Sequence, residues 1–357
     1  MNKTITALAI MMASFAANAS VLPETPVPFK SGTGAIDNDT VYIGLGSAGT
    51  AWYKLDTQAK DKKWKALAAF PGGPRDQATS AFIDGNLYVF GGIGKNSEGL
   101  TQVFNDVHKY NPKTNSWVKL MSHAPMGMAG HVTFVHNGKA YVTGGVNQNI
   151  FNGYFEDLNE AGKDSATIDK INAHYFDKKA EDYFFNKFLL SFDPSTQQWS
   201  YAGESPWYGT AGAALVNKGD KTWLINGEAK PGLRTDAVFE LDFTGNNLKW
   251  NKLAPVSSPD GVAGGFAGIS NDSLIFAGGA GFKGSRENYQ NGKNYAHEGL
   301  KKSYSTDIHL WHNGKWDKSG ELSQGRAYGV SLPWNNSLLI IGGETAGGKA
   351  VTDSVLI

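Results

Sequence analysis

Short apolar runs rich in β-branched and aromatic residues, bounded by Gly, Asn, Asp and Pro, recur along the chain, a pattern of short strands joined by tight turns. The clearest unit runs from Leu87 to Leu120: an apolar strand (LYVF), the pair Gly91-Gly92, a polar loop, a second strand ending at Asn111-Pro112, and then Trp117. The pair recurs as Gly144-Gly145 (AYVTGG), Asn226-Gly227 (TWLING), Gly278-Gly279 (LIFAGG) and Gly342-Gly343 (LLIIGG), with a looser copy at Gly44–Gly46 (VYIGLG), which makes six. The second half of the unit recurs at Trp64, Trp117, Trp199, Trp250 and Trp316. A Pro- or Gly-rich connector, a short strand and a polar turn such as Asp84-Gly85, Asn137-Gly138 or Asn335-Asn336 lead into the next unit. Each copy therefore predicts four short strands.

Strand repeats with a double glycine and a later Trp resemble kelch repeats, and that resemblance implies an all-β, six-bladed β-propeller. Glycine pairs inside strands otherwise weaken a sheet, so they mark close approach of neighbouring backbones. The first intervals between copies are close to the roughly 40–50 residues of a propeller blade, and two longer intervals require insertions, at about 147–186 and 280–304. Both follow a double glycine, so both lie between the second and third strands of a blade and project from the face that carries the connectors between blades. Within the first, Ile168, Ile171 and Tyr175 stand near helical spacing behind a predicted N-cap at Ser165. Long loops on one face of a rigid scaffold line a binding site or cover the channel mouth. The last copy ends at Ile357 without a Trp strand, while Val21 to Pro28 resembles a connector. The N-terminal segment is therefore expected to supply the outer strand of the final blade and close the ring.

Composition narrows the function. Met1 to Ala19 reads as an export signal: Lys3, an apolar run from Ile5 to Phe15, and Ala17-Asn18-Ala19 as the small-x-small cleavage site. This predicts a periplasmic product whose mature residues, 20–357, form one domain. The apolar run is shorter than the roughly 20 residues that span a bilayer, so no membrane insertion is expected. With 33 basic and 33 acidic residues and no basic run, nucleic acid is a poor partner. The absence of cysteine removes disulfides, Cys-ligated zinc and thiol nucleophiles.

The fourth copy departs from the pattern: after Asn226-Gly227 come Glu228, Lys230 and, a few residues on, Arg234. A Glu can move a proton and an Arg can grip a carboxylate through two parallel hydrogen bonds. The same two residues could equally form a salt bridge, and Glu344 occupies the register of Glu228 in the last copy, so residue type alone separates the two carboxylates only slightly. Arg75 and Arg326 share a register on connectors, with His131 and Tyr328 close by, and Arg286 and His297 lie in the second insertion. Each of these is a candidate for substrate binding, or else a structural residue bonding loop carbonyls. His131 and His136 are five apart across a strand, which is not metal spacing, and no cofactor is implied.

The signal, the six copies, the long insertion in the third copy and the stretch INGEAKPGLRTD together resemble the bacterial N-acetylneuraminate epimerases, periplasmic sialic acid mutarotases, over the whole chain. The resemblance implies Glu228 as proton acceptor and Arg234 as the residue holding the substrate, N-acetylneuraminic acid. The other reading is a non-catalytic kelch module binding a glycan or protein, for which Trp207, Tyr208, Tyr154 and Phe155 could serve. A sialidase is disfavoured, because the Ser-x-Asp-x-Gly-x-Thr-Trp boxes are missing. Either main reading is compatible with a homodimer.

Overall fold

The computed structural model describes residues 15–16, 21–245 and 247–357. The stretch predicted to be an export signal, apart from the backbone of residues 15 and 16, lies outside them. The fold is all-β with a helical insertion, as the repeat pattern predicts.

Six antiparallel sheets follow one another along the chain, one per copy. Their first strands are Thr33–Asp37, Thr79–Ile83, His131–His136, Ala214–Lys218, Phe266–Ser270 and Val330–Trp334. Sheets one to five each continue with three more strands in sequence order, the second sheet for example as Asn86–Phe90, Asp106–Asn111 and Ser116–His123. The turn between first and second strands uses residues that tolerate positive φ, such as Asp84 (48°) with Gly85 (72°) and Asn335 (44°) with Asn336 (60°). The sixth sheet has three strands, closing with Ser337–Ile341 and Ser354–Leu356.

Alongside that last strand runs the segment predicted to complete it. The Leu22 amide donates to Ser354 Oγ (3.0 Å), and those of Thr25 and Phe29 to the carbonyls of Thr352 (2.8 Å) and Val351 (2.9 Å). Beyond an isolated bridge between Phe29 and Val351 the segment is irregular. Pro23, Pro26 and Pro28 have no amide hydrogen to contribute to a ladder, which accounts for the missing regular strand.

Six buried clusters pack between neighbouring sheets. Phe90, Val107 and Phe192 join the second sheet to the third, Val216, Phe276 and Trp316 the fourth to the fifth, and Val41, Ile43, Leu339 and Ile341 the sixth to the first. The recurring Trp residues reinforce these seams, Trp117 Nε1 donating to the Ala68 carbonyl of the preceding connector at 2.8 Å. The double glycines stand where strands meet the next connector. A side chain at Gly144 (φ 76°) would lie 2.6 Å from the Thr210 carbonyl oxygen. Ahead of each first strand one residue takes the left-handed conformation: Ser31, Gln77, Gly130, Gly212, Gly264 and Tyr328, with φ between 55° and 64°. Successive members of this series bond through the backbone, Gly212 N to Gly130 O (2.7 Å), Gly264 N to Gly212 O (2.8 Å), Tyr328 N to Gly264 O (2.8 Å), Ser31 N to Tyr328 O (2.7 Å) and Gln77 N to Ser31 O (2.9 Å).

The connections between second and third strands gather on one face, as the repeat arithmetic predicts. Two carry the insertions. The first forms two helices, α1 (Gln148–Ala161) and α2 (Ser165–Phe176), of which only the second is legible in the sequence. Asp164, not Ser165, caps α2, its carboxylate accepting from the amides of Ala166 and Thr167, and Ser165 is the first helical residue. The second insertion is a hairpin, Ala280–Phe282 with Lys302–Tyr304, enclosing the short helix α3 (Ser285–Gln290). Hairpins also project from the fourth and sixth sheets, Glu228–Lys230 with Leu233–Arg234 and Glu344–Thr345 with Lys349–Ala350. Among the described residues no helix is long and apolar enough to cross a membrane.

Candidate active site

Five of the six first strands, with residues 263–265 ahead of the remaining one, line a cavity of about 760 Å³ that Glu228, Lys302, Tyr328 and Glu344 also line. A smaller cavity, about 380 Å³, lies between α1 and α2 and includes none of these four residues.

Glu228 reaches the cavity because its strand is pinned on two sides. Its amide donates to the Ala211 carbonyl (2.8 Å) and its carbonyl accepts from the Ala211 amide (3.0 Å). Across the hairpin it pairs in register with Arg234, and the Arg234 Nη1 and Glu228 Oε2 atoms form an ion pair. The carboxylate side chain keeps 22% of its surface accessible while the guanidinium keeps 7%. The remaining contacts of Arg234 fix its plane: Nε donates to the Ala280 carbonyl (3.3 Å), Nη2 to the Tyr328 hydroxyl (3.4 Å), and the Phe282 ring lies 5.4 Å from its central carbon. A partly accessible carboxylate is thus held beside an immobilised cation at the wall of the cavity.

Glu344 sits in the same register, bridged to Ala327 as Glu228 is to Ala211. Its surroundings differ. Lys30 Nζ (2.6 Å), Lys302 Nζ (2.5 Å) and the Tyr304 hydroxyl (2.5 Å) all donate to it. Burial pushes its pKa up, but the hydrogen bonds from Lys30, Lys302 and Tyr304 outweigh that and hold it down at about 2. Glu344 is therefore a fixed anion at neutral pH, with no proton to give. The two carboxylates therefore differ in their partners: Glu228 has the Arg234 guanidinium, and Glu344 has two lysines and a tyrosine.

The other candidates separate. Arg75 and Arg326 do share a register, but as struts. Arg75 chelates Asp106 (2.5 and 2.9 Å) and donates to the Gly91 carbonyl (3.0 Å), while Arg326 chelates Asp353 (3.1 and 2.8 Å) and donates to the Gly342 carbonyl (3.3 Å). Both guanidinium groups are buried, and each ties a connector to a first double-glycine residue within its own sheet. Arg286 chelates Asp236 with two 3.1 Å bonds, and its amide donates to Asp260, anchoring α3. In this structure all three arginines are paired with carboxylates, which is the structural alternative that the sequence left open for them. His131 and Tyr328 do line the cavity. His131 Nε2 lies 2.7 Å from Thr79 Oγ1, and burial drives its pKa to about 3, so it is neutral. His297 packs against Phe282 and Phe176 near the Arg234 hairpin, and burial, with Arg234 and Lys230 nearby, lowers its pKa to about 4.

Two lysines have no role assigned from the sequence. Lys302 bonds Glu344, and Lys230, two residues beyond Glu228, is fully buried with three carbonyl acceptors: Phe176 (2.8 Å), Lys178 (2.6 Å) and Asn294 (2.5 Å). These carbonyls belong to the end of α2 and to the second insertion, so one ammonium group ties both insertions to the Glu228 hairpin. Burial lowers its pKa to about 8, which leaves it protonated at neutral pH. Its own sequence context, Glu228-Ala229-Lys230, gives no hint, since all three acceptors come from distant backbone. Among the described residues no group of three or more His, Cys, Asp or Glu is placed to hold a metal ion.

Comparison with known proteins identifies the family. The family model described as N-acetylneuraminate epimerase matches residues 22–357. The chain is 99% identical over 357 residues to the N-acetylneuraminate epimerases of Escherichia coli O9:H4 (strain HS) and Escherichia coli (strain K12), covering all of this chain and 97% of each relative. It is 98% identical, with the same coverage, to that of Shigella flexneri. The solved structure of YjhT superimposes with a TM-score of 0.94 at 99% identity, covering 95% of this chain and 97% of that one. From Leu22 to its last residue, the chain belongs to the N-acetylneuraminate epimerase family.

Proposed function

We propose that the protein is an isomerase that interconverts the α and β anomers of free N-acetylneuraminic acid, with Glu228 as base and Arg234 as the group that orients the substrate carboxylate. The observation that carries this reading is the Glu228–Arg234 pair, held in hairpin register at the wall of the central cavity. Sialic acid closes its ring onto C2, which also bears the carboxylate. Removing the proton of the C2 hydroxyl while the ring oxygen takes one up gives the open ketone, and reclosure on the other carbonyl face gives the second anomer. No atom is transferred and no redox change occurs, so an acid/base pair and an anion grip suffice.

The same reading extends to the whole molecule. The six sheets are the blades of a kelch-type propeller, closed by the N-terminal segment against the sixth sheet, with residues 20–357 as one domain. Supporting this are the apolar seam between the sixth and first sheets and the backbone bonds from Tyr328 to Ser31 to Gln77. Export to the periplasm rests on the character of Met1 to Ala19, and would place the enzyme where free sialic acid arrives from outside the cell.

The test is proton NMR of anomeric exchange, starting from freshly dissolved β-anomer and from α-anomer released from a glycoside. The wild type should speed approach to the usual mixture without moving its position, and Glu228→Gln should lose on the order of hundredfold or more in rate while still binding the sugar. A rate equal to buffer alone would favour a non-catalytic binding module.

A further inference from the structure

We infer that Tyr328 is the second proton-transfer group of the site, the one that serves the ring oxygen while Glu228 serves the C2 hydroxyl; this rests on the epimerase reading above. Three features of the position set it apart. Tyr328 belongs to the series of left-handed residues that precede the six first strands, where the others are Ser31, Gln77, Gly130, Gly212 and Gly264. It is the only aromatic side chain among them, at φ 57°, a conformation that is costly for a bulky residue and is kept where function or packing overdetermines it. The preceding sheet makes room for it, since a side chain at Gly264 would overlap the Tyr328 ring.

The ring so placed lines the cavity, and two cations face it. Arg234 Nη2 donates to its hydroxyl at 3.4 Å, and Lys302 Nζ lies 5.5 Å from the ring centroid. The other terminal nitrogen of the same guanidinium pairs with Glu228. One Arg234 side chain therefore holds a carboxylate and a phenol on its two outer nitrogens. The reaction needs groups arranged in this way, because the hydroxyl oxygen and the ring oxygen are both bonded to C2, just as the two nitrogens of the guanidinium share one carbon.

In ring opening, the Glu228 carboxylate takes the C2 hydroxyl proton, the O–H pair becomes the C2=O bond, the bond from C2 to the ring oxygen breaks with its pair left on that oxygen, and the Tyr328 hydroxyl supplies the proton it needs. In reclosure the steps reverse: the phenolate takes the proton back as the oxygen attacks C2, and protonated Glu228 returns its proton to the new hydroxyl. Both groups end as they began. Arg234 and Lys302 flank the phenol and offset the charge it carries in between.

Tyr328→Phe removes one oxygen and keeps the ring against Gly264. Measured by NMR exchange at saturating substrate, it should lower kcat by roughly hundredfold or more, with KM within about threefold and an unchanged melting temperature, as general acid–base loss predicts. A second arm replaces Tyr328 with a fluorotyrosine, whose phenol is more acidic, and the alkaline limb of the kcat profile should move to lower pH. Retention of kcat within about fivefold in Tyr328→Phe, a loss confined to KM, or a limb that stays put would overturn the assignment while leaving the epimerase standing. Wild-type protein that does not accelerate exchange would end both.

Discussion

At the scale of single residues, two glutamates in the same register acquire different electrostatic surroundings through their neighbours. Glu228 has one cationic partner and an accessible carboxylate, whereas Glu344 is enclosed by Lys30, Lys302 and Tyr304. The linkage follows from the sign of the Glu344 shift. Its folded pKa of about 2 lies below that of the unfolded chain, so its ionised form adds stability above about pH 4.3, and that stability is lost as pH falls toward 2. Glu344→Gln should therefore cost on the order of 2–3 kcal/mol at pH 7 and progressively less on acidification. Urea denaturation of both proteins at pH 7 and pH 3 measures this, and equal losses at the two pH values would contradict the account. None of it was readable beforehand, because Lys30 stands 314 residues from Glu344 in sequence and Lys302 stands 42 away. The arginines show the same limit: Arg75 and Arg326 are visible as a matched pair, but Asp106 and Asp353, which occupy them, lie 31 and 27 residues further along the chain.

At the scale of elements, the site is an agreement between three connections that rise from one face. Lys230 enforces that agreement, since its ammonium is shared by α2, the residues just beyond it and the second insertion. Tyr289 adds a second tie, its hydroxyl accepting from the Ala180 amide at 2.9 Å. Lys230→Met keeps much of the side-chain volume but strands three buried carbonyls, a loss of about 3 kcal/mol at roughly 1 kcal/mol per bond. The cost should appear locally first: faster limited proteolysis within 147–186 and 280–304, and a raised KM, with little change in the protection of the six sheets. Uniform loss of protection across the sheets would show that Lys230 supports the whole core instead. The positions of the insertions were legible because the double glycines count the repeats. Helix α1 was not, since Asn149, Gly153 and the aromatic pair Tyr154-Phe155 are weak helix formers whose helix is held by packing on Val103, Val146 and Tyr175. The irregular course of Val21 to Pro28 was implicit in its prolines, although its place beside the last strand was inferred from counting strands.

At the scale of the whole molecule, a chain with equal numbers of acidic and basic residues keeps four of its eight histidines largely inside. His108, His131, His297 and His309 lie on the second sheet, the third sheet, the second insertion and the fifth sheet, and Nδ1 of each is buried without a hydrogen bond among the described residues. Burial is the leading cause that lowers all four pKa values, to about 4 for His108 and His297 and about 3 for His131. The sign is unambiguous. These groups are neutral in the folded protein at pH 7, while in the unfolded chain they take up protons below about pH 6.5. Stability is thus fully present above that value and falls as pH drops toward 4, by at most about 1.4 kcal/mol per pH unit for each histidine. Unfolding free energies from urea titrations at pH 7.5, 6.5, 5.5 and 4.5 should decline from the second point onward, before the carboxylates begin to protonate. His309→Gln, outside the cavity lining, should reduce that slope. A flat profile between pH 7 and 5 would mean that the histidines find proton acceptors or water in the folded state and that burial does not govern them. The decline, if observed, sets the acid limit of the scaffold above that of Glu344, so activity should fail on acidification by loss of the six-sheet fold while Glu344 is still ionised.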